Sequence, residues 1–386
     1  LKGELRSGKK GIFMRRALIV FQFTITISLV VAVLIVFAQI DFHRSLDLGY
    51  NRENVVAIPN SSNQGEDLLK KRLSEVPGFS GLGRMSFLPG LLYRRIRIIP
   101  EGSSAEDNYT AADIPVDEGV VETLMITMAE GRNFLNDSKS DFEDKVLVNE
   151  TLVRTAGWEK PIGKRLEIET ASSSEFVTKR VIGVIKDFHF FQAKQAIEPM
   201  VFVPNKRRSG FLIARISNSG MKEGIDKIEK TYKEIFPNRQ FRYTVLDDLF
   251  ENQFNGDRNF AANIGIFGGI AIYIACLGLI GLVSSSTESR RKEIAVRKIL
   301  GCRTSKIVKI LASDLLKWVM LANLFAWPIG YFAMSFWLED FAYKMPFSLS
   351  PFIISGFGSF VIAFLTIFYQ TYNAASSNPV DSLKYE

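Results

Sequence analysis

Only two cysteines and two histidines occur in the 386 residues. Cys276 lies inside an apolar run and Cys302 in a basic stretch, so no disulfide framework exists and cysteine usage does not indicate a redox compartment. Asp187-Phe188-His189 sets a carboxylate two residues from an imidazole, which is half of a metal site or of a catalytic pair. No second His or Cys follows to complete a ligand set, and a structural role is the plainer reading. Ser172–Ser174 read as loop and not as a nucleophile elbow. No G-x-x-x-x-G-K-[ST] occurs, which excludes a P-loop in this chain. The expectation is a protein with no catalytic residue, no metal and no cofactor of its own.

Charge of one sign is also scarce outside two short stretches. The net charge is +7, but the excess lies in residues 1–16 and 284–314. The first stretch has Lys2, Arg6, Lys9, Lys10, Arg15 and Arg16 against Glu4, and the second has eight basic residues against Glu288, Glu293 and Asp314. The rest of the chain is slightly acidic, which argues against a nucleic-acid partner.

Long apolar runs are what the sequence has in abundance. Ala17–Ala38 is 22 residues without a charge, about 33 Å as a helix and enough for a bilayer core of about 30 Å. It is too long for a signal-peptide core, and no small-residue cleavage site follows it. Phe260–Val283, Leu315–Leu338 and Pro351–Gln370 are three more runs, of which only the third run of the chain holds a charge, Lys317, near enough to its end to snorkel. No run carries Asp, Glu, Arg or His at mid-depth, so a proton- or ion-coupled transporter is not expected. Ala261, Gly265 and Gly269, at four-residue spacing in the second run, predict a close helix–helix contact, as do Ser355, Ser359 and Ala363 in the fourth. Pro328 predicts a kink in the third.

The positive-inside rule puts both basic stretches in the cytoplasm. Residues 39–259 and the short 339–350 loop then fall outside, and the 371–386 tail returns inside. The fold class expected is membrane all-α, with four transmembrane helices, plus one extracytoplasmic α+β domain inserted between the first and second helices.

Within 39–259, Asn54–Pro59, Arg94–Pro100, Lys145–Asn149, Phe176–Ile185, Met200–Val203 and Phe211–Ile216 read as strands. Glu66–Val76 and Val116–Ala129 read as helices. In Met221–Phe236, Ile225, Ile228, Tyr232 and Ile235 form one apolar face, with Ser219 as N-cap and Pro237 as the stop. Two lobes are expected.

The cytoplasmic stretch has its own pattern. Glu288–Lys292 and Glu293–Arg297 are i,i+4 pairs with the acid N-terminal. Ile294, Ala295, Ile299 and Leu300 supply an apolar side, and Gly301 is a natural stop. A topology signal that also binds anionic lipid would explain the charge. It needs only scattered Lys or Arg, whereas a paired, capped helix of about a dozen residues implies a docking surface.

The run RRKEIAVRKILGCRTSKIV before a membrane helix resembles the signature region of the FtsX-like permease family. VLVNETLVRTAGWEKPIGKRLEI and VIGVIKDFHFFQAKQAIEP resemble the periplasmic core domain of MacB-type ABC permeases, and SSNPVDSLKYE is similar to their tail. Val296 and Cys302 depart mildly from the family pattern. The resemblance implies a permease subunit of an ABC-type export or mechanotransmission system in the bacterial inner (plasma) membrane, with both termini cytoplasmic. A separate ABC ATPase chain is then expected to dock at Glu288, Arg290, Arg291, Lys292, Glu293, Ile294, Arg297, Lys298, Leu300 and Gly301. The cargo expected is a peptide, drug, lipid or lipoprotein. A second permease half or a homodimer, membrane lipid and a periplasmic adaptor are further partners it implies. Because relatives often carry two halves in one chain, the start at Leu1 suggests the C-terminal half of a longer protein. The alternative is an FtsX-like regulator of periplasmic cell-wall hydrolases that transports nothing.

Overall fold

A computed structural model describes residues 2–289 and 304–376, apart from 60–64, 92, 105–106, 108, 137, 171–174, 192–193, 205–209 and 218–219. The chain begins with helix α1 (Lys2–Ser45). Next come β1 (Val55–Pro59), α2 (Glu66–Glu75), β2 (Phe79–Met85), β3 (Arg94–Pro100), β4 (Tyr109–Val116), α3 (Val120–Thr123) and β5 (Met128–Gly131). They are followed by α4 (Lys139–Asp144), β6 (Lys145–Asn149), α5 (Glu150–Thr155), β7 (Arg165–Glu169), β8 (Phe176–Ile185), β9 (Met200–Pro204) and β10 (Phe211–Ile216). The last elements are α6 (Met221–Ile235), β11 (Thr244–Val245), α7 (Leu246–Asn252), α8 (Asn255–Ser289), α9 (Thr304–Leu338) and α10 (Ser350–Ser376). They divide into two compact units, residues 45–255 and residues 1–44 with 256–386.

In the α+β unit, strands pair in the order β11-β1-β10-β2-β4-β3-β7-β8-β6-β9, and β9 returns to pair with β4. Strands β4, β3, β7, β8, β6 and β9 therefore close into a ring. The β4–β9 and β6–β8 pairs are parallel. Each of the six contributes to one buried cluster, with Ile96, Ile98, Ala111, Val146, Val148, Leu166, Ile168, Val181, Val184 and Val201 among its members. This closure leaves no free edge between those strands. Strand β5 pairs with β8 beside the ring, and outside it β1 and β10 carry α2 and α6, which bury Leu69, Leu73, Ile228 and Tyr232 against Val56, Ile58, Leu212 and Ala214. The two expected lobes thus share one hydrogen-bonded sheet, joined where Met85 pairs with Val116.

Val116–Ala129 is not the helix its apolar spacing predicts. Asp117 is wholly buried and accepts from the backbone N–H groups of Arg84 and Gly119, at 2.9 and 3.0 Å. These bonds tie the segment to β2 just where a helix would start. The single turn of α3 then stops at Met125, a non-glycine residue in the left-handed region (φ 52°). Gly83 lets α3 sit directly on β2, since a Cβ there would lie 2.7 Å from the Val120 nitrogen.

In the helical unit, four stretches are long and apolar enough to cross a membrane: Arg16–Ser45, Asn255–Ser285, Ala312–Leu338 and Ser350–Gln370. Large side chains on them face outward, with Phe332 71% and Phe336 77% exposed. Such surface requires an apolar solvent. Helix α1 is buried along Ile19, Phe23, Ile27, Val31 and Ile35, a four-residue stripe that marks its packed face. Helix α9 runs through Pro328 without interruption.

Candidate functional site

The loop that the sequence nominates joins α8 to α9. Glu288 lies in the last turn of α8, which ends at Ser289, and α9 resumes at Thr304. Arg290, Arg291, Lys292, Glu293, Ile294, Arg297, Lys298, Leu300 and Gly301 lie outside the described residues. The structure therefore frames this site by the two helices that carry it.

Those helices are held by α1 and α10. Ala261 is buried, and a Cβ on Gly265 would sit 4.0 Å from Val33 on α1. Gly269 meets nothing within 4 Å, so the close approach does not follow the four-residue rule. It passes instead through Gly268, whose added Cβ would be 3.7 Å from Leu29, and Gly278, 3.0 Å from Gln22 Oε1. The step from Gly265 to Gly268 is the i,i+3 ridge of the same helix face. Helix α9 meets α1 through hydroxyls: Thr24 donates to the Ala322 carbonyl at 3.3 Å and Ser28 to that of Ala326 at 3.2 Å. Ser355, Ser359 and Ala363 are buried on α10. There Asn323 of α9 donates to Ser359 Oγ at 3.5 Å, and a Cβ on Gly356 would lie 2.7 Å from Asn323 Oδ1. Small residues and hydroxyls thus bring the backbones together in a slab where hydrophobic burial between helices gives no driving force.

At the other end of α9, the 339–349 segment is pinned to α1. Gln39 Nε2 donates to the Tyr343 carbonyl at 2.8 Å, Met345 N donates to Gln39 Oε1 at 2.9 Å, and His43 Nε2 lies 2.9 Å from the same Tyr343 oxygen. Gln39 and His43 are both buried. The His43 ring also meets Phe341 edge-on, with centroids 5.4 Å apart.

In the α+β unit, Asp187 is a helix-capping carboxylate. It accepts from Thr151 N (2.9 Å), Thr151 Oγ1 (2.8 Å), Asn149 Nδ2 (2.9 Å) and Arg154 (2.8 Å), at the first turn of α5. Its oxygens are committed to the turn that Asn149 also caps. No group of three or more His, Cys, Asp or Glu able to hold a metal occurs among the described residues. A cleft of about 680 Å³ lined by Lys70, Arg84, Glu118 and Phe79 is polar. Lys70 reaches Asp117 at 2.7 Å and Glu118 at 3.0 Å, so opposite charges in it face each other. None of these arrangements offers a nucleophile beside a base.

Residues 265–379 match the family described as FtsX-like permease C-terminal. That stretch takes in most of α8, the loop and all of α9 and α10. Over 303 residues, 70% of this chain and 69% of the relative, the sequence is 22% identical to a Bacillus subtilis (strain 168) protein named an uncharacterized ABC transporter permease, YvrN. Among solved structures, the periplasmic region of MacB from Actinobacillus actinomycetemcomitans is similar with a TM-score of 0.38 and 14% identity, covering 54% of this chain and 95% of that one. The extracellular domain of YknZ, a noncanonic ABC-type transporter from Gram-positive bacteria, has a TM-score of 0.35 and 11% identity, covering 50% and 99%.

Proposed function

We propose, for a chain that carries an FtsX-like permease C-terminal domain at residues 265–379, that it is the permease subunit of an ABC-type system and transmits ATP hydrolysis on a separate ATPase to its α+β domain. The observation that carries this reading is the span of the family match. It covers the loop with its two flanking helices, and the chain has no P-loop of its own. In this reading ATP is hydrolysed outside these 386 residues. The stretch RRKEIAVRKIL, whose sequence spacing gives an apolar side and paired charges, is the surface proposed for that contact. The similarity to a protein named an ABC transporter permease supports the class of partner.

The same reading gives the orientation. The loop and both termini are cytoplasmic and the α+β domain lies outside the plasma membrane of a bacterium, because both basic stretches then obey the positive-inside rule. Whether the outer domain exports a molecule or transmits motion alone depends on what it binds there.

Two measurements test the proposal. A tagged chain extracted from native membranes is expected to co-purify an ABC-type ATPase, and its absence under mild detergent would remove the energy source. After Cys276 and Cys302 are replaced by Ser, a cysteine at Asn63 is expected to react with an impermeant thiol reagent on intact spheroplasts, and one at Ser289 is not. Labelling at Ser289 would overturn the orientation.

A further inference from the structure

A cavity of about 290 Å³ opens in the helical unit between α1, the end of α9, the 339–349 segment and the start of α10. Its inner walls include Ile35, Met334 and Phe352, residues that are 4%, 5% and 3% exposed. Around its mouth stand two side chains of opposite charge, Glu339 and Lys344. Both are exposed, and neither forms an ion pair among the described residues. Tyr331 and Phe347, also lining it, meet edge-on with centroids 5.6 Å apart. Aromatic rings at such a depth mark the boundary between hydrocarbon and headgroups.

We propose that this cavity binds one zwitterionic phospholipid of the surrounding bilayer, with the upper part of an acyl chain inside, its phosphate on Lys344 and its ammonium on Glu339. The reasons are chemical. An apolar interior at the end of a membrane-spanning helix excludes a freely soluble ion, and two unpaired opposite charges at the mouth exclude a plain hydrocarbon. A small apolar pocket with a few placed polar groups is the usual form of a specific ligand site, and this one is near the lower limit of the usual volumes. Lys344 is also held in place: its two neighbours, Tyr343 and Met345, are the residues bonded to Gln39 and His43 of α1. The cation is therefore presented by a fixed backbone, and the ordering cost of binding falls mainly on the lipid. The site couples the α9–α10 connection to α1, so its occupant would bear on α9, one of the two helices that flank the loop.

The proposal rests on the membrane reading of the four helices, and the test keeps the two apart. The full chain in nanodiscs is irradiated with phosphatidylethanolamine bearing a diazirine near the head of one acyl chain, and adducts are located by mass spectrometry. Leu365, on the exposed side of α10, reports ordinary contact with bulk lipid. Label is expected at both Met334 and Leu365. Glu339→Gln and Lys344→Gln are each expected to lower Met334 labelling about fivefold, the worth of one interfacial charge, and to leave Leu365 unchanged. A phosphatidylglycerol probe, which lacks the ammonium, is expected to label Met334 about fivefold less. Equal labelling by the two probes, or by wild type and both variants, would overturn the site. So would label at Leu365 with none at Met334. Absence of label at both positions would overturn the membrane reading along with it.

Discussion

Ile294→Asp is expected to abolish stimulation of the partner ATPase while membrane insertion stays intact. A docking segment of the proposed size would hold its partner through a small apolar patch ringed by charge. Ile294 and Leu300 are the proposed apolar anchors of RRKEIAVRKILG, each expected to contribute roughly 1.5–3 kcal/mol if fully covered. An aspartate at position 294 loses that burial and leaves a carboxylate in the contact without a partner, a further cost of several kcal/mol. Together these exceed what an interface of a dozen residues can lose. Glu293 and Arg297 set orientation, and exposed pairs contribute about 0.2–1 kcal/mol. Arg297→Ala is therefore expected only to weaken stimulation, by about fivefold or less. ATP hydrolysis by the reconstituted pair reads both outcomes. Normal stimulation in Ile294→Asp, with topology lost when several basic residues are removed, would make the loop a topology signal.

The second large effect is expected within the α+β unit, at Arg215. This side chain is 5% exposed and lies at the end of β10. Its Nε donates to the Thr123 carbonyl at 2.7 Å, Nη1 to the Glu53 carbonyl at 2.7 Å, and Nη2 to the Asn51 carbonyl at 2.6 Å. One guanidinium thus joins the turn before β1, where Asn54 has φ 57°, to the turn of α3. Burial lowers its pKa from the ordinary arginine value, with Glu53 opposing the shift. Arg215→Leu keeps much of the volume but leaves one buried and two part-buried carbonyls without this donor. The expected loss is about 3–5 kcal/mol, or roughly 10 °C in Tm for a domain of this size. The fragment Ser45–Asn255 is the material to measure, since its three apolar clusters lie wholly within it and it is expected to fold alone. An unchanged Tm would show that water satisfies those carbonyls. A fragment unfolded by circular dichroism would show that the domain depends on the membrane helices.

The runs that sequence pattern reveals well are those whose apolar residues all answer to one neighbour. Ala17–Ala38 is apolar because lipid and helices surround it, and Met221–Phe236 shows a helical stripe because α6 buries Ile228 and Tyr232 on one side only. Arg94–Pro100 and Phe176–Ile185 coincide with β3 and β8. Strand β2 went unseen because Gly81 and Gly83 lack the side chains that mark a strand. Their function is close approach to Thr123 and Val120, which no local pattern records. Val116–Ala129 misled for the opposite reason. Its apolar spacing suits a helix, but the buried Asp117 and the turn at Met125 divide it between a strand end, one helical turn and β5. The closed ring depends on the β4–β9 pairing, where Ala112 meets Met200 across nearly ninety residues. The proposed docking segment rests on charge spacing and family resemblance alone, since residues 290–303 lie outside the described residues. The cavity above Ile35 was not legible at all, because it arises from Gln39 and His43 gripping a loop some 300 residues away.

The claim on which the account turns is that an ATPase subunit sits on residues 288–301. A photoreactive amino acid placed at Leu300 tests it most directly, in membranes from cells producing the chain at its native level. The account predicts a cross-link to an ABC-type ATPase, identified by mass spectrometry, that Ile294→Asp in the same chain removes. Cross-links from Leu300 to lipid alone, with the ATPase captured nowhere along the loop, would contradict it.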